Sequence, residues 1–168
     1  GQCKGLKDQD WSGLAGKGRT LVIYMGVATC PDIAEKLMGD GVAPDMPVAV
    51  DDSVALTYQN RYIYLVSGWH NDGNVNLVQL FDNFTQKWSQ ATPFPGTPVF
   101  GLAGAAVGNQ LLVCDGVKLN YAEGKRSYAM ENSCYLGTID SKSALKINWQ
   151  PIAHHGQPAR YRQSAIAV

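Results

Sequence analysis

Two hydrophobic patterns divide this chain near residue 50. Residues 21–25 form a continuous apolar run, which is typical of a strand buried on both faces. Pro31 suits the first position of a helix, and apolar residues at helical spacing follow it over 33–38. Residues 47–50 form a second short apolar run. Strand, helix and strand in this order predict a βαβ unit with parallel strands.

After residue 50 the pattern changes to short β-rich runs separated by turn residues, with no convincing helix. The runs at 54–58 and 62–66 flank Gln59, Asn60 and Arg61, which predicts a hairpin. Further strands are predicted at 76–81, around Trp88, at 102–107, 110–114 and 134–140, and around Trp149.

These strands recur as a repeat of about 50 residues, which is the most informative feature of the sequence. Gly68 and Gly116 close the second strands of two successive units, and Trp149 echoes Trp88. A polar insertion at 118–131 accounts for the greater length of the second unit, and residues 161–168 look like the beginning of a third. We therefore predict a mixed, mainly β chain. A short βαβ fragment over 1–50 precedes about two four-stranded antiparallel blades over 51–168.

The repeat resembles the kelch repeat of β-propellers, and the segments Gly68 to His70 and Pro98 to Gly101 resemble bacterial kelch proteins related to galactose oxidase. The resemblance covers about residues 53–168. Its residues are Tyr62 to Gly68, Leu80 to Asp82 and Trp88 in the first unit, and Leu111 to Gly116, Ile139, Asp140 and Trp149 in the second. In kelch proteins the second strand ends in two glycines, whereas this chain has Ser67 and Asp115 at the first of these positions. The resemblance implies a binding or interaction module.

A second resemblance, over about residues 8–50, is to the C-terminal half of uroporphyrinogen-III C-methyltransferases. It rests on the segments Asp10 to Ala15, Thr20 to Gly26 and Ala43 to Val50. In that family the methionine of the Tyr-Met-Gly segment lies against S-adenosylmethionine, which implies cofactor contact for Met25. The Gly-rich cofactor loop of the family is missing, and so is the Glu-Asn-Gly-Thr stretch expected after Val50. The sequence therefore indicates a junction near residue 50 between two unrelated pieces, with a natural truncated fusion, a gene-calling artefact and an engineered join as the alternatives.

Composition excludes several classes of function. Fourteen basic and 14 acidic residues give no net charge, and a nucleic-acid-binding domain would need a basic surface. No apolar run approaches the roughly 20 residues of a membrane helix. We find no signal peptide, which favours a cytoplasmic location without establishing it.

The candidate chemistry is sparse. Cys114 and Cys134 lie in apolar, strand-like contexts and are interpreted as buried thiols, with a disulfide as the alternative in an oxidising compartment. His154 and His155 would point to opposite faces of a strand, so we predict no metal site. Asp51 and Asp52 are interpreted as a solvated turn. The remaining candidates are read as structural or surface residues: Trp88 and Trp149 in blade packing, His70 in a turn, and Arg160, Tyr161 and Arg162 at a blade edge.

No catalytic constellation can be assembled from these residues. We predict a partial propeller that acts as a binding module and is not an enzyme, with no cofactor. Its exposed blade edges would pair with a protein partner or a second copy. The alternative is a remnant of a uroporphyrinogen-III C-methyltransferase, for which S-adenosylmethionine would be the cofactor and Met25 a binding residue.

Overall fold

The computed structural model describes residues 46–163 and residue 165. The chain divides into two units between Met46 and Pro47, so nearly all described residues belong to the second unit. The predicted helix, the predicted strand at 21–25 and Met25 lie outside the described residues. The described part contains β-strands and no helix, and hence no helix that could cross a membrane.

The strands alternate along the chain with turns that the sequence places well. Their bounds are β1 Val54–Tyr58, β2 Tyr62–Val66, β3 Trp69–His70, β4 Gly73–Asn74, β5 Val78–Asp82, β6 Lys87–Gln90, β7 Ala103–Val107, β8 Gln110–Cys114, β9 Val117–Ala122, β10 Lys125–Met130, β11 Cys134–Asp140 and β12 Ser143–Ile152. The predicted hairpin between β1 and β2 is confirmed. Its turn residues Gln59 and Asn60 have φ of 55° and 52°, as a tight hairpin turn requires.

Two four-stranded antiparallel sheets form the body of this unit. One has the order β1-β2-β5-β6 and the other β12-β11-β8-β7. A two-stranded hairpin follows the second strand of each unit, β3-β4 in the first and β9-β10 in the second. The polar insertion at 118–131 therefore lies almost entirely in the second hairpin. The predicted mainly β fold is confirmed.

One hydrophobic core joins the two sheets. Tyr64, Val66 and Val78 from the first sheet and Leu111 and Ile139 from the second are essentially inaccessible to solvent. The Tyr64 hydroxyl donates a hydrogen bond of 2.7 Å to the carbonyl oxygen of Ala144 in β12. Burial raises the pKa of this phenol above its ordinary value, with smaller contributions from two nearby tyrosines.

The second strand of the predicted βαβ unit, 47–50, is not a strand. Its backbone is held instead by side chains of the β unit. The Val48 N–H donates to the side-chain oxygen of Gln79 at 3.0 Å, and the Gln79 amide donates back to the Val48 carbonyl at 2.7 Å. The buried Gln79 side chain thus supplies the hydrogen bonds that a neighbouring strand would otherwise give to the Val48 N–H and carbonyl groups.

The same backbone bend closes the second strand of both units. Ser67 and Gly68 have φ of 56° and 117°, and Asp115 and Gly116 have φ of 62° and 107°. Left-handed backbone of this kind favours glycine, which explains the glycine pair of the kelch pattern. Here the first position of each bend carries a polar side chain that bonds to a later segment of the chain. The buried Ser67 Oγ lies 2.8 Å and 2.7 Å from the carbonyl oxygens of Val75 and Val99.

Both tryptophans expected to pack within the sheets do so. The Trp88 ring lies 5.0 Å from Phe81, its cross-strand neighbour in β5. Trp149 lies opposite Gly137, where a Cβ atom would come within 2.6 Å of the indole ring. Gly137 thus leaves room for Trp149 on the face of the second sheet.

Candidate functional site

Four aromatic side chains line an open cleft of about 510 Å³ beside the two short hairpins. Trp69 lies on β3, Tyr128 on β10, and Phe100 and Tyr161 in the segments that follow the two units. The rings contact one another in series, with centroids 5.7 Å apart for Trp69 and Phe100 and 6.4 Å apart for Phe100 and Tyr161. Such a surface suits a ligand with a flat or apolar face.

A charged pair stands at the polar end of this cleft. The Arg162 Nε and Nη2 donate to the Asp52 carboxylate at 3.0 Å and 2.5 Å, so the interaction is bidentate. Asp52 is therefore not the solvated turn residue that we predicted, because folding brings Arg162 against it from 110 positions away. Asp51 is exposed, and its backbone pairs with Trp69.

A second polar cluster lies at the end of β8. The Nε2 atoms of His154 and His155 lie 2.7 Å and 3.1 Å from the two carboxylate oxygens of Asp115. The prediction that the two histidines point to opposite faces is wrong. Strand β12 ends at Ile152, so the alternation of strand side chains does not apply to the irregular segment that follows it.

The hydrogen bonds of this cluster assign the histidine protons. The Gly156 N–H donates to Nδ1 of His154 at 3.3 Å, and the Gln157 N–H donates to Nδ1 of His155 at 3.2 Å. Each Nδ1 is therefore an acceptor, and each neutral ring carries its proton on Nε2, which donates to Asp115. The carboxylate side chain is only 2% exposed.

A disulfide joins Cys114 and Cys134 next to this cluster. The two residues lie directly opposite each other in the pairing of β8 with β11, at a Cα–Cα distance of 4.2 Å. The preferred interpretation as buried thiols is wrong, and the alternative is what the structure contains. The disulfide forms because the strand register places the two cysteines opposite each other, which cannot be read from their spacing in the sequence.

Three named relatives each match part of this chain in sequence. The uroporphyrinogen-III C-methyltransferase of Pseudomonas fluorescens is 36% identical over 66 residues, which are 39% of this chain and 27% of that protein. Siroheme synthase 2 of Klebsiella pneumoniae is 45% identical over 58 residues, and siroheme synthase 3 of Aeromonas hydrophila 48% over 46. Those stretches are 34% and 27% of this chain, and 13% and 10% of the respective relatives.

Part of this chain is similar to part of these enzymes. The resemblance to a methyltransferase fragment is thereby confirmed, whereas the chain spans about a quarter or less of the relatives' length.

The fold comparison concerns a larger share of the chain. A solved structure of YjhT superimposes with a TM-score of 0.59 at 16% identity, and covers 75% of this chain and 37% of that one. At this identity the likeness is one of fold alone. No protein-family profile matches the chain.

The remaining predicted residues take structural places. His70 is predicted to lie in a turn, but it belongs to strand β3, and its Nδ1 lies 2.6 Å from the carbonyl oxygen of Ala49. The backbone N–H of Arg160 donates to the Asp115 carboxylate at 3.4 Å. Sequence reasoning missed the aromatic cleft, because Trp69, Phe100 and Tyr128 are far apart in the chain. One feature of the sequence could have indicated the cleft: these bulky aromatic residues lie beside turns and outside the alternating positions that form the core.

Proposed function

We propose that residues 8–50 are a C-terminal fragment of an S-adenosylmethionine-dependent uroporphyrinogen-III C-methyltransferase. Similarity at 36–48% identity to a uroporphyrinogen-III C-methyltransferase and two siroheme synthases, over stretches of 46–66 residues of this chain, supports this proposal. Methyl transfer requires the sulfonium methyl group to be held beside a nucleophilic pyrrole carbon. The matched stretch is 27% or less of each relative, so we propose that these 168 residues catalyse no methyl transfer by themselves.

A segment exchange tests this origin directly. Residues 8–50 would replace the corresponding segment of the Pseudomonas fluorescens enzyme, and methylation of uroporphyrinogen III would be measured with labelled S-adenosylmethionine. We expect the chimera to retain methyl transfer. Within it, Met25→Ala should raise KM for S-adenosylmethionine more than it lowers kcat, because the contact serves cofactor binding.

Lys36→Ala is the matched control for Met25→Ala, since Lys36 lies on the polar face of the predicted helix and should leave both constants unchanged. A chimera that folds but transfers no methyl group would contradict the origin that we propose. Turnover by the 168-residue chain alone would contradict its assignment as a non-catalytic fragment.

A second function, that of a small-molecule binding module, is favoured by the aromatic cleft. Four rings and one Asp–Arg pair offer a ligand stacking surfaces beside a polar edge. This function belongs to the β unit and does not depend on the methyltransferase-like segment. We also propose that the two sheets are blades of a kelch-type propeller, whose outer strands β6 and β12 leave edges for a protein partner or a second copy.

Binding in the cleft can be measured with anilinonaphthalene sulfonate, a probe that combines flat aromatic rings with an anionic group. We expect Trp69→Ala to weaken its fluorescence titration by about tenfold or more, as removal of a central aromatic contact does. Tyr121→Ala removes an exposed ring of β9 outside the cleft and should have no effect. An unchanged titration for folded Trp69→Ala would exclude the cleft as the binding site.

A further inference from the structure

Three metal-ligating side chains converge where β8 ends. One carboxylate oxygen of Asp115 and one ring nitrogen each of His154 and His155 lie within 4.8 Å of one another. These atoms come from two segments about 40 residues apart, and the fold alone brings them together. In the described part of the chain, the ligand atoms of these three side chains are close enough together to hold one metal ion.

The first unit has different side chains at the positions that correspond to two of these residues. In the first unit the same bend carries Ser67 in place of Asp115. Trp88 and Trp149 occupy equivalent positions in the two units, and the same spacing makes Phe94 the equivalent of His155. Phe94 is a buried core residue. The first unit thus anchors the following segment with a hydroxyl and an aromatic ring. A carboxylate and two imidazoles are therefore an addition of the second unit.

The donor set suits a divalent transition metal. Two imidazole nitrogens and one carboxylate oxygen are the three protein ligands of many zinc sites that keep a position open for water or substrate, and of iron sites with a facial triad. The Asp115 carboxylate is buried and accepts hydrogen bonds from both imidazoles and from the Arg160 backbone N–H, whereas the His155 side chain is 40% exposed. The site accordingly has a rigid anionic base and a route to solvent.

Metal binding has a defined proton balance at this site. The apo rings hold their protons on Nε2, toward Asp115. Coordination uses the Nε2 lone pair, so each ring proton moves through solvent to Nδ1, and no net proton is lost from a neutral ring. The two backbone N–H groups at 3.3 Å and 3.2 Å then lose their acceptors. The change of tautomer is therefore a signature specific to coordination.

We propose that Asp115, His154 and His155 bind a divalent transition-metal ion, with Zn²⁺ as the first ion to test. Calorimetric titration of ZnCl₂ without reductant should give one site in a Cys3→Ser/Cys30→Ser background, which removes the thiols that could compete. Nitrogen-15 NMR of the imidazoles should report Nε2–H rings in the apo protein and Nδ1–H rings for His154 and His155 after Zn²⁺ addition.

Asp115→Ser is the decisive variant, because Ser67 shows that serine is accommodated at the equivalent bend. It should keep the fold and lower the Zn²⁺ affinity by more than the roughly 10–100-fold that loss of an outer-shell partner costs. His70→Ala, at the third histidine of the chain, should leave Zn²⁺ binding unchanged. Unaltered Zn²⁺ affinity in folded Asp115→Ser, or no tautomer change in the parent, would overturn the site.

Discussion

Replacing Tyr64 by alanine should lower the free energy of unfolding by about 3–5 kcal/mol, the range found for large aromatic residues removed from cores. The Tyr64 side chain is 0% exposed and belongs to the core that joins both four-stranded sheets. Its loss leaves a cavity where the two sheets meet and removes the hydrogen bond to Ala144. Urea denaturation, with the transition midpoint and m value fitted together, measures the change.

Two further variants separate packing from hydrogen bonding at this position. Tyr64→Phe keeps the ring and leaves the Ala144 carbonyl without its donor, which should cost about 1–3 kcal/mol. Tyr121→Ala removes an exposed tyrosine and should change stability by less than about 0.5 kcal/mol. If Tyr64→Ala fails to fold, Tyr64→Phe still provides the measurement. Changes below about 0.5 kcal/mol for both Tyr64 variants would contradict a core shared by the two sheets.

Removing the disulfide should have the second largest effect. The bond closes a loop with a sequence separation of 20, for which chain entropy predicts about 3 kcal/mol. The double variant Cys114→Ala/Cys134→Ala should unfold at correspondingly lower urea concentration than the oxidised parent. Because the bond constrains the unfolded chain, reduction of the parent should bring it close to the variant.

The response to reductant supplies the control for this prediction. Dithiothreitol should destabilise the parent and leave the double variant unchanged, whereas Cys3→Ala/Cys30→Ala should respond as the parent does. A parent whose unfolding midpoint does not move on reduction would contradict the bond. Structural disulfides persist in oxidising compartments. The location of this protein stays a prediction.

Electrostatics adds a smaller, pH-dependent contribution in the first sheet. Arg61 donates two hydrogen bonds to Asp82, at 2.9 Å and 2.7 Å, and this pairing holds the pKa of the Asp82 carboxyl well below its usual range. Because the Asp82 pKa is lower in the folded than in the unfolded chain, the pair stabilises the fold fully at pH values above the ordinary pKa of an aspartate. This stabilisation is lost progressively as the pH falls from that value through the lowered pKa of the folded protein. The pair thus ties the turn between β1 and β2 to the end of β5 at neutral pH.

Much of the strand arrangement could be predicted because its causes are local. Turn residues such as Gln59 and Asn60 set the ends of β1 and β2, and the predicted bounds of β8 and β11 agree with the structure. The predictions were wrong where contacts with distant residues override the local pattern of apolar and polar side chains. Residues 47–50 are apolar like a strand, yet Gln79 holds them without one. Strand alternation is likewise the wrong rule for His154 and His155, because both residues lie beyond the end of β12.

The candidate sites depended on tertiary structure almost entirely. The aromatic cleft joins Trp69 to Tyr161, and the polar cluster joins Asp115 to His155, across segments that no spacing rule connects. Only the polar substitutions at Ser67 and Asp115, where the kelch pattern has glycine, marked one of these places in advance. The reason for each substitution became visible when its bonding partners were known.

By itself the sequence determined the mainly β character of residues 51–168, the positions of most strands and turns, and the likeness of a short segment to methyltransferases. These properties follow from the spacing of apolar side chains and the backbone preferences of turn residues, which act over a few positions. Tertiary structure alone decided the Cys114–Cys134 bond, the Asp52–Arg162 pair and the convergence of two histidines on Asp115. Those contacts form only when sheet packing and register bring distant residues together, because their individual energies are too small to assemble them in an open chain.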